Sequence, residues 1–181
     1  LTKGEIGVTD TVTFTEQMKE KELLRYASAI ESHSEHPIAK GIANAVQKKP
    51  KVEDFKAIPG KGAQGKVEGK EIKVVSPGYL KENKIPMQDK RIESFNSQGK
   101  TVVFVLIDGE LKGAIALADI IREESRQAIS KLKGMGIRCM MLTGDNSQVA
   151  KWVAEEIGLD EYFAEVLPKD KAEKVKEVQS R

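Results

Sequence analysis

Apolar residues first recur with helical spacing at Leu23, Leu24, Ala27 and Ile30, which predicts an amphipathic helix with Glu16 in its first turn, ending near Ser32. A second helix is predicted from Pro37, whose fixed φ suits a first helical position. Ile38, Ile42, Ala45 and Val46 face inward along it, and Lys48-Lys49-Pro50 stops it. The pattern then shortens to strand-like runs at Phe55–Ile58, Gly65–Val67 and Glu71–Val75, the last two joined by Glu68-Gly69-Lys70 as a hairpin. Ile92 and Phe95 mark a further helix ending at Gly99. The apolar run Thr101–Ile107 then turns at Asp108-Gly109 into a strand over Leu111–Leu117. This first part reads as helices on an antiparallel sheet.

From Asp119 the rhythm changes to a long helix, a strand over Ile137–Thr143, a helix, a short strand and a last helix. That alternation is expected of a parallel sheet with crossover helices. The predicted class is therefore α/β overall, an α+β unit joined to a Rossmann-like one, with the boundary between Gly113 and Asp119.

Composition narrows the function classes. The 181 residues suffice for one ordinary domain or two small ones. Charged residues make up 32%, hydrophobic 39% and aromatic 5%, which describes an ordered globular chain with an aliphatic core. Its 30 basic and 28 acidic side chains are interspersed, so no one-signed face is available to grip nucleic acid. Cys139 is the sole cysteine, which excludes an internal disulfide and a cysteine-based zinc cage, fits a reducing compartment, and reads as a small buried strand residue. No metal site is predicted. No apolar run approaches the roughly 20 residues that span a bilayer, so no direct membrane insertion is expected.

Four stretches could carry chemistry. Met140-Met141-Leu142 runs into Thr143-Gly144-Asp145-Asn146 and then at once into a helix, a position where backbone N–H groups suit a phosphoryl oxygen; Asp145 and Asn146 could equally make the turn and cap the helix. Lys169 and Lys171 follow Pro168 at a helix start, an unfavourable end for cations unless an anion faces them, although Asp170 and Glu173 could balance them. Gly60, Gly62 and Gly65 have the G-x-G-x-x-G spacing but lead into a strand rather than a helix. They therefore read as a bend with close backbone approach or as a bulge, not as a dinucleotide fingerprint. Ser34-Glu35-His36-Pro37 joins the first two helices, with Glu31 five residues ahead of His36. An imidazole that can stack and a carboxylate that can accept from an amino group suit a purine, while helix capping or exposure is the ordinary role of such a histidine.

Taken in order, Ser34-Glu35-His36-Pro37, Gly60-Lys61-Gly62, Asp119, Thr143-Gly144-Asp145-Asn146 and Pro168-Lys169-Asp170-Lys171 resemble the nucleotide-binding and phosphorylation domains of heavy-metal-transporting P-type ATPases. The resemblance implies a start of the phosphorylation domain at residues 1–8, a nucleotide-binding domain at 9–113 and a partial, haloacid-dehalogenase-like phosphorylation domain at 114–181, with a hinge near Gly113–Asp119. It places Glu31 and His36 at adenine, Glu35 in the same ATP site, and Gly60 and Gly62 beside ribose and phosphates. Thr143, Gly144, Asp145 and Lys171 would be at the phosphorylation site. ATP or ADP is the implied ligand, Mg2+ the implied cofactor of the full protein, and the implied partners are the remaining phosphorylation, actuator and transmembrane domains of the same polypeptide at the cytoplasmic side of the cell membrane.

Leu1-Thr2 resemble the end of the family's Asp-Lys-Thr-Gly-Thr-Leu-Thr motif, so the phosphorylated aspartate is expected just ahead of Leu1, and the chain alone is expected to bind nucleotide without turning it over. Ser76-Pro77 stand where many copper ATPases carry Gly-Asn. The wording Val74-Val75-Ser76-Pro77-Gly78-Tyr79-Leu80 is similar to CopB-type enzymes, which implies copper or silver as the ion. A soluble haloacid-dehalogenase-like phosphatase with a cap domain is the alternative.

Overall fold

The computed structural model describes residues 1–180; Arg181, the last residue of the expected partial phosphorylation domain, lies outside them. The chain divides into two compact units, one made of Gly4–Asn96 and Lys100–Ile120, the other of Leu1–Lys3, Ser97–Gly99 and the chain from Ile121 on.

The first unit is built on a six-stranded sheet. Its strands are β1 (Thr2–Thr13), β2 (Val52–Ile58), β3 (Gly62–Val67), β4 (Lys70–Val75), β5 (Thr101–Ile107) and β6 (Glu110–Ile121), in the spatial order β1-β6-β5-β4-β3-β2. Every pairing from β2 to β6 is antiparallel. Helices α1 (Glu20–Glu31) and α2 (Pro37–Asn44) pack on one face, and α3 (Pro77–Glu82) and α4 (Lys90–Ser97) on the other. The apolar run of β5 follows from its interior place, because successive side chains point to opposite faces and both faces are covered. Val103, Val105 and Ile107 join the α1 core with Leu23, Ile30 and Ile42, while Val102, Phe104 and Leu106 join the opposite core with Leu80, Ile92 and Phe95. Burying each of these larger side chains contributes on the order of 1.5–3 kcal/mol.

Several elements differ from expectation. β1 was not anticipated: its alternating Ile6, Val8 and Val12 are interrupted by Asp10, whose carboxylate pairs with the nearly buried Lys100 at 2.7 Å. α1 begins at Glu20 rather than around Glu16, and α2 ends at Asn44, ahead of Lys48-Lys49-Pro50. α3 was also missed, although Pro77 at its first turn is a helix-start signal. The expected domain limits after residues 8 and 113 fall inside β1 and β6, because ladder pairing carries both strands through the segments where a break was expected.

The second unit contains α5 (Glu123–Gly134), β7 (Met140–Leu142), α6 (Ser147–Ile157), β8 (Glu161–Phe163), a 3-10 turn at Pro168–Asp170 and α7 (Lys171–Gln179). β7 and β8 pair in parallel, Met141 beside Tyr162, and α6 is the crossover between them, as the alternation required. The strand is shorter than the predicted Ile137–Thr143. Ile137 is exposed at the end of the α5 turn, its N–H donating to the Leu132 carbonyl, and Cys139 is buried just ahead of β7.

Candidate functional site

A cavity of about 410 Å3 opens in the first unit between the α1–α2 corner and the β2–β3 turn. Its walls include Glu31, Ser34 and His36 from the corner, Gly60, Lys61 and Gly62 from the turn, and Val75 and Ser76 from the end of β4. Four of the residues expected at a nucleotide, Glu31, His36, Gly60 and Gly62, are thus brought together.

Glu31 closes α1 with its side chain turned into the cavity. The residue is only 7% exposed, and among the described residues its carboxylate has no hydrogen-bond or ion-pair partner. Burial alone pushes its pKa up to about 7, because a low-dielectric surrounding disfavours the charged form. His36 is the N-cap of α2: its Nδ1 accepts from the Ile38 N–H at 3.3 Å. In the neutral ring the proton therefore sits on Nε2, and the ring is held at the cavity wall by its own helix. The ordinary capping role and a place in the cavity coexist in this residue.

The turn at Pro59-Gly60 closes through a 2.9 Å hydrogen bond from the Lys61 N–H to the Ile58 carbonyl, with Gly60 at a φ of 68°. Pro at the second position and positive φ at the third are the marks of a type II turn. Gly62 is required by contact as well as by conformation, since at its φ of 139° a Cβ would stand 2.0 Å from the Val74 carbonyl oxygen. The two glycines let bare backbone form this wall.

Glu35 does not join the group. Its side chain is 93% exposed and pairs with Lys40 at 2.6 Å, and that lysine holds its carboxyl below the usual range. The residues of the Ser-Glu-His-Pro corner alternate in direction, so Ser34 and His36 face the cavity while Glu35 faces water. Ser34, to which the motif alone gives no role of its own, accepts from the His36 N–H at 3.4 Å through its hydroxyl and steadies the corner.

In the second unit, Thr143-Gly144-Asp145 follow the carboxyl end of β7. The Thr143 hydroxyl donates to the Asp145 carboxylate at 2.7 Å and accepts from the Asp145 N–H at 3.1 Å, while Asn146 caps α6 by accepting from the Val149 N–H at 3.0 Å. The Thr143 N–H donates to the Phe163 carbonyl, and the Thr143 carbonyl accepts from the Val166 N–H. Asn146 therefore fulfils the capping alternative, whereas Thr143 and Asp145 form an exposed hydroxyl–carboxylate pair. Lys171 begins α7, is exposed, and makes no ion pair among the described residues. No three His, Cys, Asp or Glu side chains converge to hold a metal ion among the described residues, and none of their helices is long and apolar enough to cross a membrane.

Residues 1–180 match the haloacid dehalogenase-like hydrolase family. The chain is 59% identical to a copper-exporting P-type ATPase B of Archaeoglobus fulgidus over its whole length, while covering 26% of that protein. The structure of a zinc-transporting PIB-type ATPase in the E2.Pi state is similar at a TM-score of 0.77 and 33% identity, covering 99% of this chain and 30% of that one. The catalytic domain of the CPx-ATPase CopB-B, described with its conformational changes upon nucleotide binding, is similar at a TM-score of 0.50 and 27% identity, over 99% of this chain and 63% of that one. The chain spans about a quarter of the length of the curated relatives it matches. It belongs to the haloacid dehalogenase-like hydrolases, and its relatives there are P-type ATPases.

Proposed function

We propose that this chain is the ATP-binding cytoplasmic portion of a copper- or silver-transporting P-type ATPase. The observation that carries the reading is the cavity uniting Glu31, His36, Gly60 and Gly62, whose volume is in the range of small-molecule sites. Ionised, Glu31 accepts from the exocyclic amino group of adenine; guanine presents a carbonyl at the same place, which an ionised carboxylate repels. The His36 ring stacks on the base, and the bare backbone at Gly60 and Gly62 admits ribose and phosphates. The relative named for copper export at 59% identity supports the ion, the zinc-transporting structural relative being less similar at 33%.

In the full-length protein the γ-phosphate would pass to an aspartate that residues 1–181 do not supply in the family's motif. Thr143, Gly144 and Asp145 would face the transferring group, and Lys171 would offset its charge, as a lysine commonly does in phosphoryl transfer. No three His, Cys, Asp or Glu side chains converge to hold Mg2+ among the described residues, and no step is assigned to it. Calorimetric titration of the chain with ATP tests the reading. Binding that weakens in His36→Ala and favours ATP over GTP is expected; equal binding by wild type and His36→Ala would overturn it.

A further inference from the structure

We propose that Lys61 is the cation that receives the nucleotide phosphates, and that Glu82 holds it in reserve by pairing with its ammonium in the nucleotide-free chain. The proposal rests on the reading of the cavity as an ATP site and adds to it the residue that distinguishes ATP from adenosine.

The cavity walls differ in character. The α1–α2 corner contributes the Glu31 carboxyl, and the β2–β3 turn contributes Lys61, the sole lysine or arginine among the lining residues. A ligand with a neutral, amino-bearing base at one end and a polyanion at the other fits that polarity.

The backbone of Lys61 is fixed on both sides. Its N–H donates to the Ile58 carbonyl at 2.9 Å, and its carbonyl accepts from the Ser76 N–H at 2.8 Å. Gly60 and Gly62 flank it and leave the approach free of side chains. The ammonium, by contrast, is tied to a single carboxylate, that of Glu82 at the end of α3. The side chains are 36% and 58% exposed, so water screens the pair and it contributes little to the fold. Such a pair exchanges easily for a polyphosphate, which carries more charge and accepts as well; lysine suits that task as a mobile point charge. Because Ser76 both bonds the Lys61 carbonyl and leads into α3, the competing carboxylate is kept in register with the turn.

The test is calorimetry of the 181-residue chain at low salt with adenosine, ADP and ATP, using wild type, Lys61→Met, Lys61→Arg, Glu82→Gln and Glu31→Gln. Lys61→Met should weaken ATP and ADP by roughly tenfold, the scale of one charge-assisted hydrogen bond, and leave adenosine unchanged. Lys61→Arg should retain most of the affinity. Glu82→Gln should strengthen ATP about two- to fivefold by releasing the lysine, again with adenosine unchanged. If Lys61→Met and Glu82→Gln bind all three ligands as wild type does, while Glu31→Gln still weakens all three, the proposal falls and the ATP site stands. If Glu31→Gln has no effect or the wild type binds none of them, the site reading falls and takes the proposal with it.

Discussion

Glu31→Gln offers a test in which stability and binding should move in opposite directions. The carboxyl group is desolvated without a partner, and its pKa is raised from an ordinary 4.5 to about 7. In the unfolded chain the proton leaves near the ordinary value; in the folded chain it is retained until about pH 7. Between those limits the folded state binds more protons than the unfolded state, so stability must fall as pH rises through this window and level off above it. At 1.36 kcal/mol per pH unit, that displacement corresponds to about 3 kcal/mol, an upper value because the cavity admits water. Glutamine has the shape of the protonated acid and no charge to desolvate. Urea denaturation should therefore find the variant equal to wild type near pH 4.5 and more stable by about 1–3 kcal/mol at pH 8. The same variant should bind ATP more weakly at pH 8, since the amide offers a poorer acceptor to the adenine amino group. A stability difference that is the same at both pH values would refute the claim that burial of this carboxylate is the cause.

Three other outcomes are expected. His36→Ala should lower stability by about 1 kcal/mol through loss of the α2 cap as well as weaken ATP, whereas His36→Asn should keep the cap and still lose the affinity, as thermal melts and calorimetry will show. Gly62→Ala should cost about 3 kcal/mol or more, because its Cβ would stand 2.0 Å from the Val74 carbonyl at a positive φ; a denaturation midpoint like that of wild type would contradict the close approach. The purified chain should bind ATP yet show no steady phosphate release in a phosphate-detection assay, and release that survives Thr143→Ala with Lys171→Ala would mean that another nucleophile is present.

The parts of the fold that were legible in the sequence are those in which one physical rule dominates. Pro37 and the inward Ile38 and Ile42 announced α2, Glu68-Gly69-Lys70 announced the β3–β4 hairpin, and the unbroken apolar run of β5 announced a strand. β1 was hidden because its alternation is broken by Asp10, whose half-exposed carboxylate accepts from the Thr9 hydroxyl and pairs with the nearly buried Lys100 only in the folded chain. At the cavity, Glu31, His36 and the two glycines could be named from residue types and order. The exclusion of Glu35 could not, since which of three consecutive corner residues faces inward depends on the chain path between α1 and α2 and on the nearby Lys40. The partner of Lys61 was equally out of reach, for Glu82 lies 21 positions along the chain and meets it only once α3 has folded against the turn.

β1 and β6 are neighbours in the sheet, and they carry the chain across the first and last boundaries of the first unit, with Ser97–Gly99 a short excursion between them. The points of entry and exit are therefore separated by one strand spacing, about 5 Å. A module connected in this way behaves as a cassette: it can be enlarged, trimmed or exchanged at the far end of the sheet without altering the distance that the rest of the polypeptide must bridge. At that far edge lies β2, whose bulged register and exposed side chains already depart from regularity.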